Sequence, residues 1–225
     1  MKEEISFTDL GFARLDDLRE SRIGVPEIVW GENKTREQIL MIVRRMTEKQ
    51  APILVSRIDE EKGRALAGEF PKGVYHPQAR LFALDPFPEK RVPGRGRILI
   101  LTAGTSDIPI AEESFVTASL LGNEVEKIYD VGISGLQRLL AELPRIREAS
   151  VLIVIAGMEG ALPSVVAGLV GKPIVAVPTS VGYGTGLGGI AALLAMLNGC
   201  APGVTVVNID NGVGAAVAAH MINRN

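Results

Sequence analysis

Several short polar segments of this sequence each follow a run of apolar residues, and they contain side chains that can do chemistry. The first, at residues 103–109, contains Gly104, Thr105, Ser106 and Asp107. Glycines and hydroxyls beside the free N–H groups of a helix start attract anions, so this turn suits a phosphate, with Asp107 directed toward a ribose, a water or a metal ion. The alternative is that Ser106 or Asp107 only caps the following helix.

A second segment, residues 156–163, carries one carboxylate, Glu159, between Gly157 and Gly160. A glutamate at this place is either a charge that stabilises a helix start or a general acid or base. The flanking glycines let a ligand or another backbone segment approach closely. The sequence therefore favours the catalytic and the structural interpretation of Glu159 equally.

A third segment, residues 178–189, is rich in glycine and contains Ser180, Gly182, Tyr183 and Gly184. Its glycines and hydroxyls suit a phosphate cradle, but it lacks the Lys-Ser/Thr pair of a P-loop and the spacing of a dinucleotide-binding fingerprint. The alternative is a loop that needs positive φ at several positions.

The single cysteine, Cys200, and the acidic residue Asp210 lie in the last two turns of the sequence. A lone cysteine is usually a small buried hydrophobic residue, and no Lys, Arg or His lies beside this one to activate it. Local sequence therefore favours a structural role for Cys200. Asp210 is a helix cap, a ribose contact or a metal ligand, and its neighbours leave these alternatives open.

Composition and charge exclude several classes of function. The 24 basic and 26 acidic residues leave a formal charge of −2, and no stretch dense in Lys and Arg predicts nucleic-acid binding. One cysteine cannot form an internal disulfide, and with only His76 and His220 beside it the sequence predicts no structural zinc site. Because the N-terminus lacks a signal-peptide pattern and no apolar run is long enough to span a membrane, we expect a cytoplasmic protein.

Short apolar runs and amphipathic segments alternate from residue 97 onward, and these elements must position the polar turns. Strands are predicted at residues 97–103, 124–129, 151–156, 173–177 and 204–209, and helices at residues 110–121, 136–143, 161–170, 189–197 and 215–223. Five βα units in succession predict a three-layer α/β fold with a doubly wound parallel sheet. In that architecture ligands bind beyond the carboxyl ends of the strands, where the polar turns lie.

The residues before about position 93 are richer in charge and predict a separate small α+β domain, which the chain length of 225 residues allows. Helical spacing predicts one helix near residues 12–18 and another at residues 35–46, opened by a capping box of Thr35 and Gln38. Extended segments are predicted at residues 28–31, 52–56 and 75–84. Proline, glycine and charge without periodicity at residues 85–96 predict a linker, which divides the chain into domains 1–93 and 94–225.

Two long stretches carry a resemblance to a known family. Residues 177–212, which include Cys200, and residues 22–39 resemble the LarB family, the pyridinium-3,5-biscarboxylic acid mononucleotide synthases of nickel-pincer cofactor biosynthesis. The similarity covers nearly the whole chain. It implies carboxylation of the pyridinium ring of nicotinic acid adenine dinucleotide by CO₂ or bicarbonate, together with hydrolysis of the phosphoanhydride to release AMP.

The resemblance also implies roles for individual residues. Cys200 matches the thiolate that adds covalently to the ring, Glu159 or Asp107 removes the ring proton, and Ser106 binds a carboxylate or a phosphate. The anhydride step implies Mg²⁺ to screen phosphate charge, with no residue identified as its ligand. The substrate-binding residues expected from the turns are Gly104, Thr105, Gly157, Ser180, Gly182, Tyr183, Gly184 and Asp210.

A more distant resemblance links residues 104–109 and 155–157 to PurE, the aminoimidazole ribonucleotide carboxylase/mutase, a doubly wound fold that assembles into octamers. This implies a homo-octamer. PurE proteins carry a histidine in each of two loops, and the matching residues here, 160–164 and 129–134, contain none. Two alternatives therefore remain: a PurE-like carboxylase or mutase that does not depend on Cys200, and a non-catalytic module that binds an adenine nucleotide.

Overall fold

The computed structural model describes residues 6–49, 51–84 and 96–224, and the chain divides into two compact units, Met1–Lys90 and Arg91–Asn225. Of the linker predicted at residues 85–96, only Gly96 belongs to the described residues. The domain boundary placed at residue 93 therefore stays a prediction.

The first unit combines small sheets with three helices. Its elements are β1 (Phe7–Asp9), β2 (Arg14–Asp16), α1 (Arg19–Ile23), β3 (Ile28–Trp30), α2 (Arg36–Thr47), β4 (Ile53–Ser56), α3 (Glu60–Glu69), β5 (Val74–His76) and β6 (Leu81–Leu84). Strands β1 and β2 form a hairpin, and the other four form a sheet in the order β3-β4-β6-β5. In this sheet β3 is parallel to β4, and the remaining neighbours are antiparallel.

Local sequence rules explain most of the first unit. The capping box is confirmed: the Thr35 hydroxyl accepts from the Gln38 N–H at 3.2 Å, and the Gln38 side-chain oxygen accepts from the Thr35 N–H at 2.9 Å. The helix predicted near residues 12–18 is wrong, because β2 pairs with β1 there and only Leu15 of that strand is buried. Helix α3, which the spacing does not predict, begins where Asp59 accepts the Lys62 N–H at 2.9 Å.

The second unit confirms the predicted doubly wound fold. Its elements are β7 (Arg97–Thr102), α4 (Ile108–Leu120), β8 (Glu124–Ile128), α5 (Leu136–Ala141), α6 (Leu143–Glu148), β9 (Val151–Ala156), α7 (Leu162–Leu169), β10 (Ile174–Pro178), α8 (Ile190–Leu197), β11 (Val204–Val206) and α9 (Gly212–Asn223). The five strands are all parallel and lie in the order β11-β10-β9-β7-β8. The single helix predicted at residues 136–143 is two short helices, and α6 begins with Leu143 followed by a proline, which is tolerated in a first turn.

Helices cover both faces of this sheet. Leu99 and Leu101 of β7 point into a core with α5, α6, α7 and α8, whereas Ile98 and Ile100 point into a second core with α4 and α9. Strands β9 and β10 are buried along their whole length, which is why they read as continuous apolar runs. Burying a side chain of this kind contributes about 1.5–3 kcal/mol. No helix among the described residues is long and apolar enough to cross a membrane.

Candidate functional site

The carboxyl ends of the five parallel strands meet at one edge of the second unit, and the loops that follow four of them enclose a cavity. Its volume is about 470 Å³. The loops after β7, β8, β9 and β10 contribute Ala103, Gly104, Ser106, Asp107, Gly132, Ile133, Ser134, Ala156, Gly157, Met158, Glu159, Ala161, Leu162, Val181 and Tyr183. The cavity therefore lies where the fold class predicts a ligand.

Asp107 is a buried carboxylate at this edge, and both of its oxygens accept hydrogen bonds. It closes a short 3₁₀ turn (Thr105–Asp107), its Oδ2 accepts the Gly104 N–H at 2.9 Å, and its Oδ1 accepts the Thr179 hydroxyl at 2.7 Å. The side chain is buried, and this burial raises the pKa of Asp107 although both hydrogen bonds lower it; the nearby charge of Asp210 also raises it. Asp107 thus joins the loops after β7 and β10, while Ser106 is exposed and lines the cavity.

Glu159 lies in a loop whose backbone is fixed by close contacts. A Cβ at Gly157 would come within 2.3 Å of the Val181 carbonyl oxygen, so only glycine fits there, and the Met158 N–H donates to the same oxygen at 3.0 Å. Met158 has a positive φ of 49°, which is uncommon for a residue with a side chain. The Glu159 side chain is exposed and lines the cavity. This loop therefore holds one accessible carboxylate on a constrained backbone.

The glycine-rich loop after β10 forms the outer wall of the cavity. Gly182 and Gly184 have positive φ, which agrees with the alternative interpretation of this segment as a loop that needs positive φ. Tyr183, which lies between them, is 82% exposed. The Ser180 N–H donates to Asp210 Oδ1 at 2.8 Å. Of these residues only Tyr183 lines the cavity, so a phosphate-binding role for the others stays a prediction.

Asp210 joins two loops at the same edge. Besides its contact with Ser180, its own N–H donates to the Pro178 carbonyl at 2.9 Å, and its φ is 55°. Thr105 and Asp210 lie outside the lining of the cavity. Their predicted contacts with substrate are not tested by this geometry.

Cys200 does not lie in this cavity. It is exposed, in the loop between α8 and β11, and a Cβ added to the preceding Gly199 would meet the Ser164 hydroxyl of α7 at 2.8 Å. The loop then continues to Gly203, whose carbonyl accepts the Ile174 N–H at the start of β10. Within the described part of one chain, the predicted nucleophile is thus not among the residues that line the cavity.

Exposed apolar side chains lead along α8 toward Cys200. Leu187 precedes the helix, and Ile190, Leu194 and Leu197 follow at the spacing of one helical face. Leu194 and Leu197 are 59% and 62% exposed. We call these four residues the α8 stripe. A contiguous apolar surface of this kind is typical of an interaction site.

Sequence reasoning assigned no role to Thr179 or to the loop after β8. Thr179 is fully buried and bonds Asp107 across 72 positions of sequence, a contact that no local pattern signals. Gly132, Ile133 and Ser134 line the cavity, and a Cβ at Gly132 would lie 2.5 Å from the Ala103 carbonyl oxygen. The one available signal was topological, since both segments follow strands of the predicted sheet.

The donor set at this edge limits how a metal could bind. Among the described residues, no group of three or more His, Cys, Asp or Glu side chains is placed to hold a metal ion. Mg²⁺, however, is commonly bound by one or two carboxylates together with substrate phosphates. Asp210, a half-buried carboxylate at the same edge, fits that second mode.

Comparisons with known proteins cover both units. Residues 7–86 match a family model described as LarB/PurE-like N-terminal domain, and residues 97–225 match one described as AIR carboxylase. The chain is 42% identical over 221 residues to the uncharacterized protein MJ0165 of Methanocaldococcus jannaschii, across 93% of this chain and 83% of that protein. It is 35% identical over 127 residues to the N5-carboxyaminoimidazole ribonucleotide mutase of the same organism, across 54% of this chain and 75% of the mutase.

Two crystal structures of Treponema denticola PurE proteins are also similar. Each superposes with a TM-score of 0.44 and covers 56% of this chain. The sequence identities are 20% and 18%, and the superpositions cover 89% and 90% of those chains.

Proposed function

Because the chain belongs to the LarB/PurE-like family, with an AIR carboxylase domain after a LarB/PurE-like N-terminal domain, we propose that it carboxylates a pyridinium ring. The substrate is nicotinic acid adenine dinucleotide, the carboxyl donor is CO₂ or bicarbonate, and hydrolysis of the phosphoanhydride releases AMP. The product is pyridinium-3,5-biscarboxylic acid mononucleotide.

The composition of the cavity is the observation that carries this proposal. Among its lining residues in the described part of the chain there is no histidine, whereas Ser106, Asp107 and Glu159 all line it. Imidazole-ribonucleotide chemistry of the PurE type relies on histidine loops that this sequence lacks. An acid–base site that has carboxylates and no histidine is consistent with removing a proton from a carboxylated dihydropyridine.

The chemistry explains why a thiolate is needed. A pyridinium ring is electron-poor and does not attack CO₂. When the Cys200 sulfur bonds to a ring carbon, the electron pair of the broken π bond moves to the ring nitrogen, and the dihydropyridine then forms a C–C bond to CO₂. Removal of the proton from that carbon restores aromaticity and expels the thiolate, so the enzyme returns to its starting state.

Of the two candidate bases, we assign proton removal to Glu159. Both oxygens of Asp107 already accept hydrogen bonds, from Gly104 and Thr179, and the side chain is buried. Glu159 is exposed on a constrained loop and can reach a ligand in the cavity. Asp107 then fixes the loop after β7 to the loop after β10. Ser106 hydrogen-bonds a carboxylate or phosphate of the substrate.

The anhydride step adds a proposed requirement for Mg²⁺. Asp210, which has no part in the proton removal, is the carboxylate that would hold it alongside the substrate phosphates. When bound, the ion screens phosphate charge during attack by water. We expect chelation by EDTA to stop AMP release while leaving the Cys200 thiol able to add to the ring, as intact-protein mass spectrometry would detect.

We further propose that the chain works as a homo-oligomer, an octamer by its resemblance to PurE. The α8 stripe supports this, because it leaves three large apolar side chains of α8 and Leu187 in solvent next to Cys200. A second copy that covers the stripe would also enclose the thiol. Thiol chemistry on a pyridinium benefits from such exclusion of water.

Mass spectrometry of reaction products tests the function. The purified protein is incubated with nicotinic acid adenine dinucleotide, bicarbonate and Mg²⁺. Cys200→Ala is assayed in parallel, together with a matched control, Ser164→Ala, because the Ser164 hydroxyl lies close to Gly199 in the loop of Cys200. We expect the biscarboxylated mononucleotide and AMP from the wild type and from Ser164→Ala, and none from Cys200→Ala.

Absence of turnover by the wild type, or equal turnover without the thiol, would overturn the proposal. The second candidate is the mutase reaction, favoured by the 35% identity over 127 residues to a named mutase. Turnover of a carboxyaminoimidazole ribonucleotide that is unaffected by Cys200→Ala would establish it. Thermal stabilisation by adenine nucleotides without any product would instead indicate a binding module.

A further inference from the structure

Three loops meet at one edge of the four-stranded sheet in the first unit. Trp30 ends β3 and pairs with Ser56 at the end of the parallel strand β4. Arg57 follows Ser56 directly, and Arg80 precedes β6 at the same edge, where its carbonyl accepts the Ile58 N–H at 3.0 Å. Carboxyl ends of adjacent parallel strands are a common place for ligands.

The backbone of these loops is strained where ordinary residues adopt positive φ. Asn33, Arg57 and Arg80 have φ values of 63°, 58° and 52°. Such conformations persist only where surrounding structure imposes them, and they concentrate at functional sites. Here the constraint includes Gly31, whose N–H donates to the Ser56 carbonyl at 2.7 Å and at which a Cβ would collide with Ile58.

The side chains at this edge combine an aromatic surface with positive charge. Trp30 is 50% exposed, and the Arg57 guanidinium lies over its ring, 5.4 Å from the centroid. Lys34 donates to the Trp30 carbonyl at 2.7 Å, and Arg80 is exposed. The Arg57 guanidinium thus covers part of a half-exposed indole, and two further cationic residues, Lys34 and Arg80, lie on the loops at the same edge.

Two acidic residues that follow Arg57 are engaged with helix α3. Asp59 accepts the Lys62 N–H as the helix cap, and Glu60 pairs with Arg64 at 2.5 Å. Glu32, on the loop after β3, is exposed. Among the described residues of these three loops, the three cations therefore outnumber Glu32, the carboxylate that is not engaged at the start of α3.

We propose that this edge of the first unit binds a nucleotide monophosphate, with the base stacked on Trp30 and the phosphate held by Arg57, Arg80 and Lys34. Indole rings stack on any base, and arginine guanidinium groups bind phosphate oxygens through paired N–H donors. The choice of an adenine nucleotide rests on the proposed function, which releases AMP, whereas the stacking and phosphate contacts do not depend on it.

Tryptophan fluorescence tests this directly, because Trp30 is the only tryptophan of the chain. The full chain is titrated with AMP, with adenosine, which lacks the phosphate, and with ribose 5-phosphate, which lacks the base. We expect AMP to change the emission saturably and to bind at least roughly tenfold more tightly than either fragment. Calorimetric titration runs in parallel.

Arginine variants separate this site from general attraction of anions. Arg57→Gln and Arg80→Gln should each weaken AMP binding roughly tenfold. Arg44→Gln is the matched control, since it removes the same charge from an exposed arginine that pairs with Glu69 at the other end of α2, and it should bind AMP normally. Circular dichroism establishes that each variant is folded, and the two arginines, which lie on different loops, give two separate readouts.

Emission that does not respond to AMP, equal affinity for adenosine and AMP, or equal weakening by all three variants would overturn the proposal. Heat of binding without a change in Trp30 emission would also overturn it, because AMP would then occupy the second unit. AMP binding at Trp30 together with no carboxylation of the dinucleotide would contradict the proposed function and leave this site standing.

Discussion

The carboxyl edge of the second unit and the region of α8 and Cys200 differ in how far one chain completes them. At the carboxyl edge, hydrogen bonds tie the loops to one another, and Asp107 and Thr179 are buried. Around Cys200 the thiol is exposed and the α8 stripe faces solvent. One chain therefore pre-organises the carboxyl edge but leaves Cys200 exposed, and under our proposal a second copy covers the nucleophilic half.

The largest expected effect comes from charging the α8 stripe. Leu194→Asp places a carboxylate where we propose an interface, and burying it there without a partner is unfavourable. We expect the oligomer to dissociate in light scattering and turnover to fall by at least roughly a hundredfold. The matched control is Leu140→Asp on α5, another exposed leucine of the same unit.

The proposed difference between the two regions is contradicted if the Leu194→Asp variant has the same oligomer size and the same turnover rate as the wild type. Cys200 would then work without a partner copy. Dissociation with full activity would contradict only the claim that the partner completes the nucleophilic half.

A second test addresses the half that the single chain completes. Glu159→Gln keeps the shape of the side chain and removes its basicity, so proton removal should slow by roughly a hundredfold or more. Because addition to the ring precedes this step, the covalent adduct on Cys200 should accumulate and be visible by intact-protein mass spectrometry. Glu124→Gln, an exposed glutamate on β8, is the control and should behave as the wild type. A normal rate without adduct would remove Glu159 from the mechanism.

A third test asks whether the buried pair is what makes the carboxyl edge rigid. Thr179→Val removes the hydroxyl that donates to Asp107 and leaves a buried carboxylate oxygen without that bond, which should lower the free energy of unfolding by about 1–3 kcal/mol. Thr205→Val, on the half-exposed strand β11, should change it by less than about 0.5 kcal/mol. Urea denaturation measures both, and equal losses would show that the pair has no special weight.

How much the sequence could predict differs between local and distant contacts. The parallel strands follow from uninterrupted apolar runs, and the α2 cap follows from Thr35 and Gln38, because each depends on residues close in sequence. The bond from Thr179 to Asp107 spans 72 positions, so no periodicity reveals it. The false helix at residues 12–18 has the same cause, since pairing with β1 overrides helical spacing there.

The smallest expected effect is the pH dependence that Asp107 adds to stability, and it measures how completely the carboxyl edge is buried. Burial raises the pKa of Asp107 above its ordinary value of 3.8. Below that value the carboxyl is neutral in both the folded and the unfolded chain. As the pH rises, the carboxyl ionises first in the unfolded chain, which stabilises the unfolded state. The contribution of Asp107 to the free energy of unfolding is therefore lost as the pH rises through the folded pKa. Asp107→Asn does not titrate here, and we therefore expect the wild type to lose stability relative to this variant in urea denaturation as the pH rises above about 4. A relative gain in stability as the pH rises would mean that the hydrogen bonds from Thr179 and Gly104 lower the pKa of Asp107 more than burial raises it. The carboxyl edge would then be better solvated than its contrast with the exposed region around Cys200 implies.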